Sequence, residues 1–376
     1  MIQVLSIGTD RKMFEEKSAV SLRAMLYGKK AGHMSVIVFS LASLGLSKKV
    51  LSPEVTVYPT NSSSRLGYVF DAIRIGKEII KNEKFVRGQS VVTCQDPFEC
   101  GLVGWRISRY FRLPLHLQLH TDFLSPYFKT SFLQTLRVIL GRFLLPRASG
   151  VRVVSKHIAE SLVRNNIHLK HNPDVLPIRV SIKPDEVQKI PDFFPQFNFV
   201  ILVASRLEKE KRIQDAINAF ASVVKQFPKA GLLIAGSGSQ ESALKSQVSS
   251  LGLSSSVVFL GWVESVASYI KSADVFLSTS EYEGYGMSVV EAGLLGTPVV
   301  TTKVGLAGEI LIDKVNSFVC PVGDTLCITR SLVELIAHNE KRNILSQALQ
   351  SDVRKTIPTE ESYVDAFVHS FQKTLQ

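Results

Sequence analysis

The stretch DVFLSTSEYEGYGMSVVEAGLLGTPVVTT, residues 274–302, decides the fold. DVFLSTS is a short apolar strand ending at Ser280, EYEGYG is a loop with Gly284 and Gly286, an apolar helix starts near Met287, and TPVVTT is a second strand. Strands joined through a helix run parallel, because only a tight turn reverses the chain directly. The same rhythm extends upstream through NFVILVAS, RIQDAINAFASVVKQF, AGLLIAG, QESALKSQVSSLG, SVVFLG and SVASYIKSA. The expectation is α/β, a doubly wound parallel sheet.

The first half repeats the pattern without repeating the sequence. Its strands are IQVLSIG, SVIVFS, SVVTCQ, LHLQLH and GVRVVS, with helices such as VSLRAMLYGKKAG and YVFDAIRIGKEIIKN between them. PIRVSIKPDEVQKIPDFFPQFN has four prolines and no clear period, which predicts a linker. A chain of 376 residues also exceeds what one core usually supports. The expected organisation is an N-terminal domain over 1–180, a linker over 181–198, a C-terminal domain over 199–355 and a terminal helix within 356–376. That helix carries Tyr363, Phe367, Phe371 and Leu375 four apart on one face and needs a surface to dock on.

Net charge is +11, but residues 1–180 hold 26 Lys and Arg against 12 Asp and Glu, whereas the remainder is slightly acidic. A basic first half suits anionic lipid, nucleic acid or an anionic substrate, or is scattered solubilising charge. Aromatic and basic residues do not interleave as in single-strand binders, so no nucleic-acid partner is expected. Within 123–159, where no acid occurs, FLQTLRVILGRFLL is apolar at helical spacing, either a buried helix with basic ends or a surface for anionic membrane. The N-terminus lacks a signal-peptide layout, and no apolar run is long enough to cross a bilayer. Cys94, Cys100, Cys320 and Cys327 match no zinc or redox spacing and read as reduced thiols. The expected location is cytoplasmic, peripheral at the inner face of the membrane.

In a doubly wound sheet, ligands bind beyond the carboxyl ends of the strands, where helix N-termini offer free amides. Glu283 lies there on the loop, and Glu291 lies about one turn into the helix. A carboxylate accepts from vicinal hydroxyls, so Glu291 suits a ribose and Glu283 a sugar. The amides of Gly286, Met287 and Ser288 suit phosphate oxygens. Glutamates near helix starts also favour the helix dipole, and glycines also simply turn the chain. In ASRLEKEKRIQ, Arg206 lies just beyond the strand end, and Lys211 and Arg212 sit near a helix start that disfavours cations unless an anion such as a diphosphate lies between them; the alternative is exposed cations on a solvated loop with Glu208 and Glu210. Gly236 and Gly238 mark another strand edge.

Together ASRLEKEK, IAGSGSQ, VVFLGWV, SADVFLSTS and EYEGYGMSVVEAGLLGTPVV resemble, in order, the retaining glycosyltransferases of family 4. These have the GT-B fold, two Rossmann-like domains facing across a cleft. The resemblance covers most of residues 199–320, with Tyr285 in place of the usual phenylalanine and Ser205 in place of a glycine. It implies that Arg206 and Lys211 hold the donor diphosphate, Glu283 engages the donor sugar and Glu291 takes the ribose, with Gly284, Tyr285, Gly286, Met287 and Ser288 around them. The backbone at Trp262 and Val263 would line the base pocket. His120, at the end of LHLQLH, would approach the donor sugar, and the terminal helix would pack back towards the N-terminal domain. The family's glycine pair after the first strand is here the single Gly8 in GTDRKMFEEKSAV, where Thr9, Arg11 and Lys17 would supply that phosphate contact through side chains.

The function so implied is retaining transfer of a sugar from a nucleotide-diphosphate sugar to a sugar or lipid-linked hydroxyl acceptor, in cell-surface polysaccharide or glycolipid synthesis. No metal and no cofactor is expected, the nucleotide sugar being a substrate. The alternatives are another GT-B enzyme, such as a sugar-nucleotide epimerase, and a catalytically silent binding protein.

Overall fold

Strands buried on both faces need apolar side chains at successive positions, and IQVLSIG supplies them. It forms β1 (Ile2–Gly8), buried at every residue but Gln3. A computed structural model describes residues 1–180 and 182–376; Ser181, the first residue of the expected linker, lies outside the described residues. The chain divides into two compact units, Met1–Pro177 with Thr359–Gln376, and Ile178–Pro358.

In the first unit β1 is followed by α1 (Ala19–Ala31), β2 (Gly32–Val38), β3 (Lys49–Ser52), β4 (Val55–Pro59), α2 (Tyr68–Asn82) and β5 (Ser90–Cys94). Then come α3 (Glu99–Phe111), β6 (Leu115–Leu119), α4 (Phe132–Leu144), β7 (Gly150–Val153), α5 (Lys156–Arg164) and β8 (Asp174–Val175). The sheet order is β3-β4-β2-β1-β5-β6-β7-β8, and only the β3–β4 pair is antiparallel. That hairpin is absent from the strands read in the sequence, because KVLSPEVTVYP carries prolines inside and at the end of its strand pattern.

The second unit runs β9 (Phe199–Ala204), α6 (Ile213–Gln226), β10 (Ala230–Ala235), α7 (Glu241–Ser250), β11 (Val257–Gly261), α8 (Val266–Ser272) and β12 (Val275–Ser278). It continues with α9 (Met287–Leu295), β13 (Val299–Thr302), β14 (Phe318–Cys320), α10 (Thr325–Ala337) and α11 (Asn339–Thr356). Its order is β11-β10-β9-β12-β13-β14, all parallel, so strand order reverses between β9 and β12. Ile213, Ala216, Ile217, Phe220 and Val223 of α6 face the sheet at steps of three and four, packed with Ile201, Val203, Leu232 and Ile234.

The proline-rich segment expected as a linker is held by this unit. Lys271 Nζ donates to the carbonyls of Pro184 and Val187 at 2.8 Å each, and Ser272 Oγ accepts from Ile190 N at 2.8 Å. The last helix, α12 (Glu360–Leu375), lies in the first unit, where Tyr363, Phe367 and Phe371 enter the core with Val4 and Val36. There the buried Arg152 guanidinium donates to Tyr363 Oη (2.8 Å), Gln118 Oε1 (3.0 Å) and the Leu176 carbonyl (3.1 Å). These contacts offset part of the cost of burying the charge, although Nε finds no partner among the described residues.

The cysteine expectation needs correction. Cys320, at the end of β14, and Cys327, in the first turn of α10, form a disulfide with Cα atoms 5.7 Å apart, while Cys94 and Cys100 are buried free thiols. The turn between β14 and α10 brings the two sulfurs together, which no motif spacing reveals. Cysteine usage therefore gives no support to a reducing compartment. Among the described residues no helix is long and apolar enough to cross a membrane.

Candidate active site

Where strand order reverses, the loops leaving β9 and β12 leave a small, largely enclosed cavity at the carboxyl edge. Ser205, Lys211, Ser280, Glu283 and Ser288 line it. Lys211 ends a single turn, Lys209–Lys211, that stops because Arg212 adopts a left-handed conformation, φ 47°. Two residues stitch this turn to the loop after β12: Thr279 Oγ1 donates to the Lys211 and Arg212 carbonyls (2.9 and 3.0 Å), and Glu281 N donates to the Glu210 carbonyl (2.9 Å). Arg212 adds ion pairs to Asp215 (2.6 Å) and Glu281 (3.4 Å).

These stitches set Lys211 against Glu283. Lys211 Nζ donates to Glu283 Oε1, and Ser280 Oγ donates to the same oxygen at 2.9 Å. The two side chains keep only 14% and 22% of their surface exposed, so their charges meet in a poorly solvated place where electrostatic forces are strong. Gly305 holds the loop from above. At φ 57° its backbone passes so close that a Cβ would stand 2.9 Å from the Tyr285 carbonyl and 3.1 Å from Glu283 Cβ. Gly305, Thr279 and Ser280 were not among the residues expected from sequence; the only signal was the glycine in TTKVGLAG, just past a strand end.

Gly286, at φ 89°, ends the EYEGYG loop and leads into α9, so the amides of Met287 and Ser288 lie in its first turn. Tyr285 is buried and Gly284 lies within the loop. Glu291 stands one turn further along. Burial pushes its carboxyl up to about 7, and among the described residues no side chain or amide partners that carboxyl. An unpartnered carboxyl in such surroundings gains from any ligand that brings hydrogen-bond donors.

Other expected residues stand apart from the pair. Arg206 is 65% exposed and donates to Glu210 Oε1 at 3.0 Å, with Tyr282 within its electrostatic reach. Trp262 is exposed and Val263 half-buried, just past β11. Gly236 and Gly238 are needed for packing, since a Cβ would sit 1.9 Å from the Ser205 carbonyl at the first and 2.4 Å from the Leu207 carbonyl at the second. They let two loops of the protein touch.

In the first unit, strand order reverses between β1 and β5. Gly8 lies there with Gln95 so close that a Cβ would be 2.3 Å from its Oε1. Thr9 N donates to that oxygen (3.4 Å), and Arg11 is engaged by the Phe39 carbonyl (3.3 Å) and Tyr68 Oη (3.5 Å). His120 follows β6. The residue is exposed, and its ring is held below the usual imidazole range by the surrounding protein and then by Arg152. The loop after it is tied by Asp122, which accepts from Ser161 Oγ (2.8 Å) and lies 3.5 Å from His157 Nε2. No group of three or more His, Cys, Asp or Glu able to hold a metal occurs among the described residues.

Two reversing parallel sheets of this kind define a GT-B protein, and solved structures agree over the whole chain. HepE of Anabaena, determined with UDP and glucose, superposes with a TM-score of 0.77 at 20% identity, covering 99% of each chain. Sucrose-phosphate synthase of Thermosynechococcus elongatus gives 0.79 at 18%, covering 96% of this chain and 97% of that one. Residues 186–352 match the family described as glycosyl transferases group 1. Among curated relatives, N-acetyl-alpha-D-glucosaminyl L-malate synthase of Bacillus anthracis is 29% identical over 217 residues, 56% of this chain and 57% of that protein. Alpha-monoglucosyldiacylglycerol synthase of Streptococcus pneumoniae is 28% identical over 240 residues, 60% and 54% respectively. The chain thus spans a little over half the length of these relatives.

Proposed function

We propose that the chain transfers a sugar, with retention, from a nucleoside-diphosphate sugar to a hydroxyl acceptor. The observation that carries this is the Lys211–Glu283 contact at the reversal between β9 and β12. A cation and a carboxylate held together there are a ready exchange site: a donor's diphosphate can take the ammonium, and its sugar hydroxyls can take the carboxylate. Ser288 and Met287 amides add fixed dipoles at the same edge, the kind of preorganised charge that stabilises a departing diphosphate. Arg206 reaches the diphosphate after leaving Glu210. Glu291 takes the ribose hydroxyls, and the backbone at Trp262 and Val263 borders the base, with Gly284 and Tyr285 shaping the loop.

Arg206, Lys211 and the α9 amides supply the charge the leaving group needs, so the proposal includes transfer without a metal ion. UDP and glucose in the HepE structure support a sugar nucleotide as donor, and the name of the Streptococcus relative supports a lipid-borne or glycan acceptor. A cytoplasmic protein peripheral to the inner membrane, working in cell-surface polysaccharide or glycolipid synthesis, fits those partners.

The test is a thermal-shift panel of UDP, GDP, ADP and their sugars, followed by product analysis with the stabilising donor. Acceptor-dependent release of nucleoside diphosphate, unchanged by EDTA, is expected. Release of altered free sugar without acceptor would instead identify an epimerase.

A further inference from the structure

We propose that the exposed face of α4 docks on an anionic lipid bilayer. The inference deepens the glycosyl-transfer reading and rests on it for its purpose, a lipid-borne acceptor, but not for its physics. Phe132, Leu136, Ile139 and Phe143 recur at steps of four, three and four and so share one face of the helix. That face is uncovered, the four residues being 79%, 45%, 59% and 40% exposed, with Leu133 beside them at 53%. The opposite side seats the helix: Val138, Gly141 and Leu144 are buried, and Gly141 lies so close to the Phe123 ring that a Cβ would be 2.7 Å away. The stripe is therefore surplus to folding.

Charge around the stripe is one-sided. Arg147 lies 3.7 Å from the Phe143 ring centre, Arg142 is held only by the neutral Asn165, and Lys129 is exposed before the helix. On α3, Arg106 and Arg109 flank Trp105, whose ring meets Phe143 edge-on at 5.4 Å. Among the described residues the one acid bonded to α4 is Glu99, already paired with Arg137 at 2.9 Å. Arg152, though in the same stretch of sequence, is buried and takes no part.

An apolar stripe bordered by uncompensated arginines fits an anionic membrane interface, where rings and leucines enter the acyl boundary and arginine stems keep their heads among the phosphates. A second copy fits poorly, because pairing this face with itself would oppose arginine to arginine. At 13 residues the helix is about 20 Å long, too short to span the roughly 30 Å hydrocarbon core, so it lies in the surface plane.

The experiment is flotation of the full chain with vesicles of phosphatidylcholine alone and of phosphatidylcholine mixed with phosphatidylglycerol. Binding to the anionic vesicles only is expected, weakening in about 1 M salt, where charges are screened beyond ~3 Å. Leu136→Gln with Ile139→Gln should cut binding about tenfold or more, since two aliphatic side chains that enter the acyl boundary are made polar. Arg106→Gln with Arg109→Gln should also weaken it, with Tm unchanged in both variants. Equal binding to both vesicle types, no binding, or no loss in the Leu136/Ile139 variant would overturn the proposal. So would a dimer that this variant dissolves. The readout needs no donor, so absent transfer leaves docking intact, and lost docking leaves transfer to a water-soluble acceptor intact.

Discussion

The two units share a reversing strand order but finish their carboxyl edges differently. At the reversal of the second, Lys211 meets Glu283, Arg212 meets Asp215 and Glu281, and a left-handed Gly286 opens a helix. At the reversal of the first, Gly8 meets the neutral Gln95, and the neighbouring loops are tied by their own backbones: Ser62 N donates to the Ser40 carbonyl and Ala42 N to the Ser62 carbonyl, both at 2.9 Å. One topology thus yields an edge where ion pairs cross from loop to loop and an edge closed by a glutamine and by backbone hydrogen bonds. Chemistry belongs to the residues grafted at the edge and not to the sheet.

The largest effect tests that division directly. Lys211→Ala and Glu283→Ala should each lower transfer by about 10²–10³-fold, the scale of losing a preorganised charge at a developing one. Each also strands a poorly solvated partner, which should cost roughly 1–3 kcal/mol of stability, read as a fall in Tm. Gln95→Ala at the other rim should leave transfer within a few-fold of the parent. Equal losses at the two rims would break the comparison.

Glu291 gives the next effect, and its sign runs opposite in folding and in binding. Burial raises its carboxyl from 4.5 to about 7, so the folded chain holds a proton that the unfolded chain releases between those values. Its contribution therefore declines as pH rises from about 4.5 to 7 and stays unfavourable above. Glu291→Gln removes that penalty, and at pH 8 it should stabilise the protein by about 3 kcal/mol, with the gain vanishing near pH 4. The same variant should bind donor about tenfold more weakly, because a charged acceptor for ribose hydroxyls is gone. Denaturant titration across pH and donor calorimetry separate the two. A variant that neither gains stability nor loses donor would show that Glu291 is a solvated surface group.

Much of this arrangement was legible in the chain. IQVLSIG and YVFDAIRIGKEIIKN coincide with β1 and α2, because an unbroken apolar run and a 3.6-residue period are local signals. The edge positions of Lys211 and Glu283 followed from the rule for strand ends, although 72 residues separate them. Illegible were the contacts made only in three dimensions: the Thr279 stitches, the close pass of Gly305, the Cys320–Cys327 bond and the seating of the proline-rich segment. The glycines at 236 and 238 were visible, but their purpose, loop against loop, was not. Arg152 could be read as one more surface cation, since nothing local reveals that Gln118 and Tyr363 receive it in the core.

Arg206 carries the smallest effect and the sharpest one. Its pair with Glu210 is a surface ion pair at 65% exposure of the arginine, of the kind worth about 0–1 kcal/mol, so Arg206→Ala should leave Tm unchanged. In the proposed site the guanidinium abandons Glu210 for the diphosphate, and the alanine variant should lose a few-fold to about tenfold in donor affinity, with a shallower salt dependence. Arg206→Lys should recover part of this, because an ammonium keeps the charge without the fork. A loss as large as that of Lys211→Ala would mean that the bound site is drawn around Arg206 as firmly as around the buried pair. No loss at all would leave the second unit's charged edge to Lys211, Glu283 and the α9 amides alone.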